Sequence, residues 1–388
     1  MVPDKNKDDP DANVGDPVSA FTGQVIHSVT DFRLMGRNGL DFEFTRIYRG
    51  DKLFSAGDLE RTWTHNYNMY VIPPYGGTQE WLKDSDGKMY EVKSSPYLDY
   101  EISGNSYSGY TVIKKSEKRN YEFAYKHTTL DPLYGLRDRL YLTRITDRYG
   151  NNIIFEYTGG VLNRAFDSVG REVVFTSENA VINPAGKRIT GINVNGLQMA
   201  SYEYQNNRLK IASGYQLKCE YNYDSEGRLA YLKENKTPAG NNTIAYTYLN
   251  GRVKKMTMPE GDIEFKYSHY APISNIFPFY YVDVSNSLFP EPVYTGNGIN
   301  QPIKPYMTEV KGIDGVIERY YFGISGNMEK RTRGQNNEKP VKAKVINETT
   351  YTSGSVTDDN GNTTSYNYNT DLAVTSRVCQ FFCVNSHS

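Results

Sequence analysis

An all-β fold follows from three features of the sequence: aromatic residues paired two positions apart, turn tetrads that begin with Asp and end with Gly, and an internal repeat of about 20 residues that contains both. Residues two apart share one face of a strand, so each pair sets two rings side by side on one surface, a period that excludes a helix.

The pairs are Phe155/Tyr157, Tyr202/Tyr204, Tyr221/Tyr223, Tyr246/Tyr248 and Phe265/Tyr267, and a further member is expected near position 177. Three tetrads, Asp147-Arg-Tyr-Gly150, Asp167-Ser-Val-Gly170 and Asp224-Ser-Glu-Gly227, carry the preferences of a type I turn, in which Asp caps its own backbone and Gly takes the open fourth position. The first two tetrads lie 20 residues apart, and Ile153-Ile154-Phe155 matches Val173-Val174-Phe175 at the same offset. A repeat of that length holds two ordinary strands and two turns, hence one hairpin. One hairpin cannot bury its apolar face, so successive hairpins must pair edge to edge into a long strip, with cross-strand aromatic and β-branched pairs contributing ~0.2–1 kcal/mol each.

The fullest unit is Tyr221-Asn-Tyr223-Asp224-Ser-Glu-Gly227-Arg228-Leu229, and Tyr246-Thr-Tyr248-Leu-Asn-Gly251-Arg252-Val253 is a variant without the Asp. These units resemble the Tyr-Asp (YD) repeats of the Rhs family, which includes bacterial Rhs proteins, toxin-complex C components and animal teneurins. The segment from Gly15 to Arg49 resembles the domain that opens the shell in many Rhs proteins. Its Asp16-Pro17-Val18, Thr22-Gly23, Thr30-Asp31-Phe32 and Arg46-Ile-Tyr48 appear in the family's order, with Asp16 where many members have Asn. The resemblance implies a hollow shell that winds around a cargo polypeptide. Complete shells are longer, so a truncated opening part, a partial β shell, is expected here.

Bulk properties fit this picture. A chain of 388 residues could be two or three ordinary domains or one long array, and its net charge of -1 gives no reason to expect nucleic acid. Tyr, with 34 copies, outnumbers even Gly, with 33, as suits sheets laddered by aromatic residues. The three cysteines, Cys219, Cys379 and Cys383, are too few for a disulfide scaffold, and their odd number leaves one unpaired. No apolar run approaches the ~20 residues of a membrane helix, so no membrane insertion is expected. No export leader follows Met1, which leaves either a fragment or export by a partner machine.

In chain order, residues 1–14 read as a disordered linker, rich in Asp, Asn, Lys and Pro. Asp4, Asn6 and Asp8 imitate the start of an EF-hand loop, but Gly is absent at its sixth position and Glu at its twelfth. Residues 15–135 form an N-terminal β domain, with strict alternation from Leu40 to Tyr48, strands around Trp63-Thr-His65 and Trp81-Leu82, the tetrad Asp84–Gly87, and alternation again at Tyr121-Glu-Phe123-Ala-Tyr125. Trp63 and His65 read as core or ladder residues in preference to a ligand site. Residues 136–270 are the repeat array. Residues 271–306, with six prolines among exposed-looking aromatics, cannot hold a central strand and read as an insertion or crossing loop. Degenerate repeats follow at 307–370, including Tyr320, Asp358–Gly361 and Tyr366/Tyr368, and an atypical tail at 371–388. Cys379, Cys383 and His387 in that tail lack the spacing and the fourth ligand of a zinc site. The strip is therefore expected to stop with an unpaired edge at about Tyr368, which would leave the isolated chain open and prone to self-association.

No catalytic constellation is found: no HExxH helix, no phosphate-binding Gly-rich loop, no GxSxG elbow. The five histidines, His27, His65, His127, His269 and His387, are scattered singly, and the patterned Asp residues are explained by turns. Nothing matches the core that carries the family's self-cleaving carboxylates. No enzyme activity, cofactor or metal is expected. Two functions of different class remain: a structural shell segment of a secreted or surface-delivered polymorphic toxin, its partner a C-terminal toxin or cargo polypeptide absent from this chain, or a carbohydrate-binding adhesin whose partner is cell-surface glycan. Exposure separates them, because rings facing one another or a closed cavity favour the shell and a groove of solvent-facing rings favours the lectin.

Overall fold

The computed structural model describes residues 13–14, 18–50, 58–60, 62–74, 80–87, 89–92, 100–131, 135–180, 186–214, 217–236, 240–270, 281–283, 306–322, 328–334, 339–347, 352–357, 362–368 and 374–380. Among these the only helical element is a 3-10 turn at Arg37–Gly39, and the chain is otherwise antiparallel β-structure, as the pairing rule predicts. The described residues form two compact units, one within Val25–Ile244, the other within Ala245–Ser388 together with residues up to Gln24.

In the first unit, Asn152–Thr158 pairs with Val161–Phe166, Glu172–Asn179 with Lys187–Val194, Leu197–Gln205 with Arg208–Ser213, and Leu217–Tyr223 with Leu229–Lys236. Each is one hairpin of the repeat, and adjacent hairpins pair in turn. The position expected near 177 is filled by Phe175, buried in Glu172–Asn179, with Ser177 in place of the second ring.

The turns obey one rule. The Oδ1 atom of Asp147, Asp167 and Asp224 accepts the backbone N–H two residues on at 2.8, 3.0 and 3.0 Å and the N–H four residues on at 2.9, 2.8 and 2.8 Å. The Gly at the fourth position has positive φ in all three. Arg228 Nε closes the third turn on Asp224 Oδ2 at 2.7 Å, Arg171 does the same for Asp167, and Asn151 Nδ2 for Asp147. These bonds outweigh burial and hold the Asp147 and Asp224 carboxyls below their usual range. At other hairpins two successive residues with positive φ, such as Asn206-Asn207 and Asn250-Gly251, make the tight connection whose twist matches the strands.

Within four of the five pairs the structure adds a device that period-two reasoning does not contain. Register shifts fall between Glu156 and Tyr157, Glu203 and Tyr204, Asn222 and Tyr223, and Thr247 and Tyr248, so the returning strand carries one extra residue: Asn163, Lys210, Ala230 and Lys254 respectively. A bulge bends the strand and increases its twist. In three pairs, the last of them without a bulge, the second aromatic reaches back to the preceding strand. Tyr204 Oη donates to Ile189 O at 2.5 Å, Tyr223 Oη to Leu209 O at 2.7 Å and Tyr267 Oη to Val253 O at 2.8 Å. In every case the residue before that carbonyl is an arginine lying over the same ring, Arg188, Arg208 or Arg252, at 4.2, 5.2 and 5.1 Å.

In the second unit, Gly240–Leu249 pairs with Arg252–Met258, and Gly261–Tyr270 pairs with both Tyr281–Asp283 and Tyr306–Lys311. Most of the proline-rich stretch 271–306 lies outside the described residues; within it Tyr281–Asp283 is a short strand, and Tyr306 opens the strand Tyr306–Lys311. The tail needs correction. Val374–Gln380 is a strand that pairs with Thr363–Tyr368, bulge included, so the sheet does not stop at Tyr368. The backbone of Cys379 lies in that ladder, while Cys383, His387, the tetrad Asp358–Gly361 and residues 1–12 lie outside the described residues. Asn13–Val14 pairs with Val18–Ser19.

Replacing Gly150 or Gly227 with Val should lower stability by on the order of 1 kcal/mol or more, because both have positive φ. The Gly227 variant should lose more: a Cβ at Gly150 meets open space, whereas one at Gly227 runs into the Arg208 guanidinium. Urea unfolding of the two variants checks both the sign and the order.

Candidate functional site: the polar seam under the repeats

A second, smaller sheet lies against the inner face of the first unit's repeats. Ile26–Leu34, Phe42–Arg49 and Trp63–His65 form it, paired in that order. Alternation from Leu40 to Tyr48 points Phe42, Phe44, Arg46 and Tyr48 to one side, and all four are fully buried. This row and its neighbours meet the first member of one repeat after another. Tyr67 packs on Phe155 at 4.9 Å, Phe44 on Phe175 at 5.7 Å and Tyr202 at 6.5 Å, and Trp63 on Tyr221 at 4.6 Å. Tyr48 Oη accepts the backbone N–H of Leu229 at 2.9 Å. Gly214 allows a close backbone approach, since a Cβ there would stand 2.6 Å from the carbonyl oxygen of Asp31.

Arg46 is the one charge on that apolar row, with 0% of its surface exposed. Its Nε donates to Asp31 Oδ2 at 2.7 Å, and its terminal nitrogens donate to Tyr221 Oη at 2.6 Å and Cys219 Sγ at 3.8 Å. Tyr202 Oη donates to the same Asp31 oxygen at 2.6 Å. The rings of Trp63, Tyr221 and Tyr202 surround the guanidinium at 5.6, 5.7 and 5.9 Å. Burial works against the charge, but Asp31 and Tyr221 outweigh it and hold Arg46 protonated. Trp63 Nε1 donates to Tyr223 Oη at 2.8 Å, which joins the cluster to the repeat's own tyrosine-to-carbonyl bond.

A second polar cluster lies in the same unit. His65 Nε2 stands 3.3 Å from Asp58 Oδ2, and Lys83 Nζ donates to Thr64 Oγ1 at 2.8 Å. Arg139, on Gly135–Asp147, lies over the Tyr70 ring at 4.4 Å, with Lys83 5.3 Å from the same ring. Burial, then Arg139, push the Lys83 ammonium down to about 7, and burial lowers His65 despite Asp58.

The repeat-defining residues fall into two roles. Phe155 and Tyr221 are buried on the covered face of the first unit and Tyr246 is buried in the second, Tyr157, Tyr223 and Tyr248 follow the bulges, and Asp147, Gly150, Asp167, Gly170, Asp224, Gly227, Arg228 and Gly251 build the turns. They are not brought together at one point. Trp63 and His65 are core residues, 2% and 1% exposed. The residues that do converge, Asp31, Arg46, Cys219 and Tyr202, were named in the sequence only separately, as parts of motifs, of a ring pair or of the cysteine count, and not as one cluster; a cation on the inward parity of an apolar strand was the available signal.

Among the described residues no His, Cys, Asp or Glu cluster could hold a metal ion, and no helix is long and apolar enough to cross a membrane. A polar cleft of about 350 Å3 between Asn38, Glu117–Arg119 and Asp147–Tyr149 holds two carboxylates, both already occupied: Glu117 by Lys114, Arg119 and Tyr121, and Asp147 by its own turn.

Fold and seam together define an all-β repeat protein whose opening sheet covers the inner face of its first repeats. A family model described as a domain of unknown function, DUF6531, matches residues 15–91, the segment that contains this sheet. No curated protein matches the chain. Among solved structures it is similar to the TcdB2-TccC3 complex, with 8% identity, a TM-score of 0.34 and 96% of this chain against 22% of that one. TcdB2-TccC3-Cdc42 gives 7%, 0.34, 93% and 20%, and the Photorhabdus luminescens Tc holotoxin pore 8%, 0.34, 92% and 21%. The chain thus spans about a fifth of the length of these structures.

Removing one member of the buried ion pair, as in Arg46→Met, should cost ~3–5 kcal/mol, whereas Arg46→Met combined with Asp31→Leu should recover much of that loss. Chemical denaturation of the single and double variants measures the coupling.

Proposed function

We propose that this chain is a structural wall segment of a secreted, Rhs-type toxin protein, serving to enclose a cargo polypeptide and not to catalyse. The observation that carries this reading is the burial of the repeat rings. Phe155, Phe175, Tyr202 and Tyr221 face the chain's own opening sheet, and Tyr246 and Phe265 are equally buried, so among the described residues the ladder offers no groove of solvent-facing rings to a sugar. The exposed aromatics Tyr107 and Tyr149 stand on turns. The YD units and the ordered Pro-Val, Thr-Gly, Asp-Phe and Arg-x-Tyr series supply the resemblance from which enclosure and secretion are inferred.

In the longer protein that this resemblance implies, a polypeptide carried with the wall should resist added protease. It should become sensitive when the seam is broken by Asp31→Ala. Equal digestion in both proteins sinks the enclosing role, and robust turnover of a peptide, glycan or nucleic-acid substrate, abolished by one substitution, sinks the non-catalytic one.

A further inference from the structure

The ladder that joins the hairpin carrying Lys83 to the strand Gly135–Asp147 is short. Tyr70–Ile72 and Trp81–Lys83 are strands of three residues each, and the first joins Gly135–Asp147 through two pairs, Leu140 with Val71 and Tyr141 with Tyr70, plus the bond from Leu142 N to Met69 O at 3.1 Å. Around this short ladder the fold places four ionisable side chains. Lys83 and Arg139 approach one Tyr70 ring, and His65 rests on Asp58, whose own backbone carbonyl accepts Ile189 N at 2.8 Å.

Lys83 is 3% exposed, and among the described residues no carboxylate pairs with it; its hydrogen bond goes to the Thr64 hydroxyl. The charged groups facing it are Arg139 from the repeat strand, Arg49 from the opening sheet, and Asp58 and Asp86 from the neighbouring turns. Those facing His65 are Asp58 and Lys83. Two cations and two carboxylates around a neutral amine are balanced. A proton on Lys83 upsets the balance with a third cation across the Tyr70 ring from Arg139, and a proton on His65 adds a fourth.

We propose that Asp58, His65, Lys83 and Arg139 form an acid-sensitive latch that holds the Tyr70–Lys83 hairpin against the repeat strand while Lys83 is neutral and loosens it as the pH falls. The sign follows from linkage. Released, Lys83 has the ordinary lysine affinity for a proton, and latched it has a depressed one, near 7, so opening takes up one proton. The hold is complete above about pH 10.5 and is lost as the pH falls towards 7, and His65, also depressed when latched, weakens it further below about 6.5.

Amide hydrogen exchange on the intact chain between pH 9 and 6, corrected for intrinsic rates, reads this directly. Protection of residues 69–72, 81–83 and 140–142 should fall by roughly tenfold per pH unit from 9 to 7, while protection of 197–213 stays level. Lys83→Met should abolish that slope. A flat profile in the unaltered protein, or the same slope in a folded Lys83→Met variant, overturns the latch. If that variant fails to fold, lysine-selective NMR of the unaltered chain decides: one side chain titrating near neutrality supports the latch, and lysines that all titrate in the ordinary alkaline range overturn it.

Discussion

A hairpin strip has one apolar face, and that face has to be covered. In the first unit the cover is the sheet Ile26–Leu34, Phe42–Arg49 and Trp63–His65, whose inward row meets Phe155, Phe175, Tyr202, Tyr221 and Leu229 in succession. One row thereby ties together hairpins that otherwise touch only their neighbours. Local repeats become a single cooperative body, because loss of the cover exposes several rings at once. In the second unit residues 18–24 act in the same manner: Phe21 packs on Phe322 at 5.2 Å, Ala20 O accepts Thr308 Oγ1 at 2.7 Å, and Gly23 O accepts Val253 N at 2.8 Å.

Between hairpins the coupling is finer. At Tyr204, Tyr223 and Tyr267 the hydroxyl of the second aromatic reaches a backbone carbonyl of the preceding strand, and the arginine one position before that carbonyl lies over the ring. Each such bond contributes about 1 kcal/mol and each cation–ring contact about 0.5–1 kcal/mol, which is small singly and substantial when repeated along an array. This accounts for the arginine that follows the tight turns at Asn206-Asn207 and Asn250-Gly251: it serves the next repeat and not its own.

The buried polar groups have a different logic. A buried ion pair adds little net stability over apolar packing, and what it contributes here is register: this placement of the opening sheet brings Arg46 to Asp31, Tyr221 and Cys219 together. The second cluster, around Lys83, differs in kind: its amine is buried against a hydroxyl and not against a carboxylate.

The hairpin strip, its turns and the buried face of its rings were legible in the sequence because all three depend on residues within one repeat. Period two places Phe155 and Tyr221 on one side, and an Asp followed three residues later by Gly dictates a turn at Asp147, Asp167 and Asp224 wherever the chain goes. The bulges at Asn163, Lys210, Ala230 and Lys254 were not legible, since a bulge is a property of two paired strands and no single residue type enforces it. Nor was the seam: Arg46 and Tyr221 are 175 residues apart, and Trp63 and Tyr223 are 160 apart. The alternation from Leu40 to Tyr48 contains the parity that puts Arg46 on the side of Phe42 and Phe44, but not the partner of its charge. Only the packing of one sheet across several repeats decided that the partners are Asp31 and Tyr221, and that the strip's aromatic face is covered by the chain's own opening sheet.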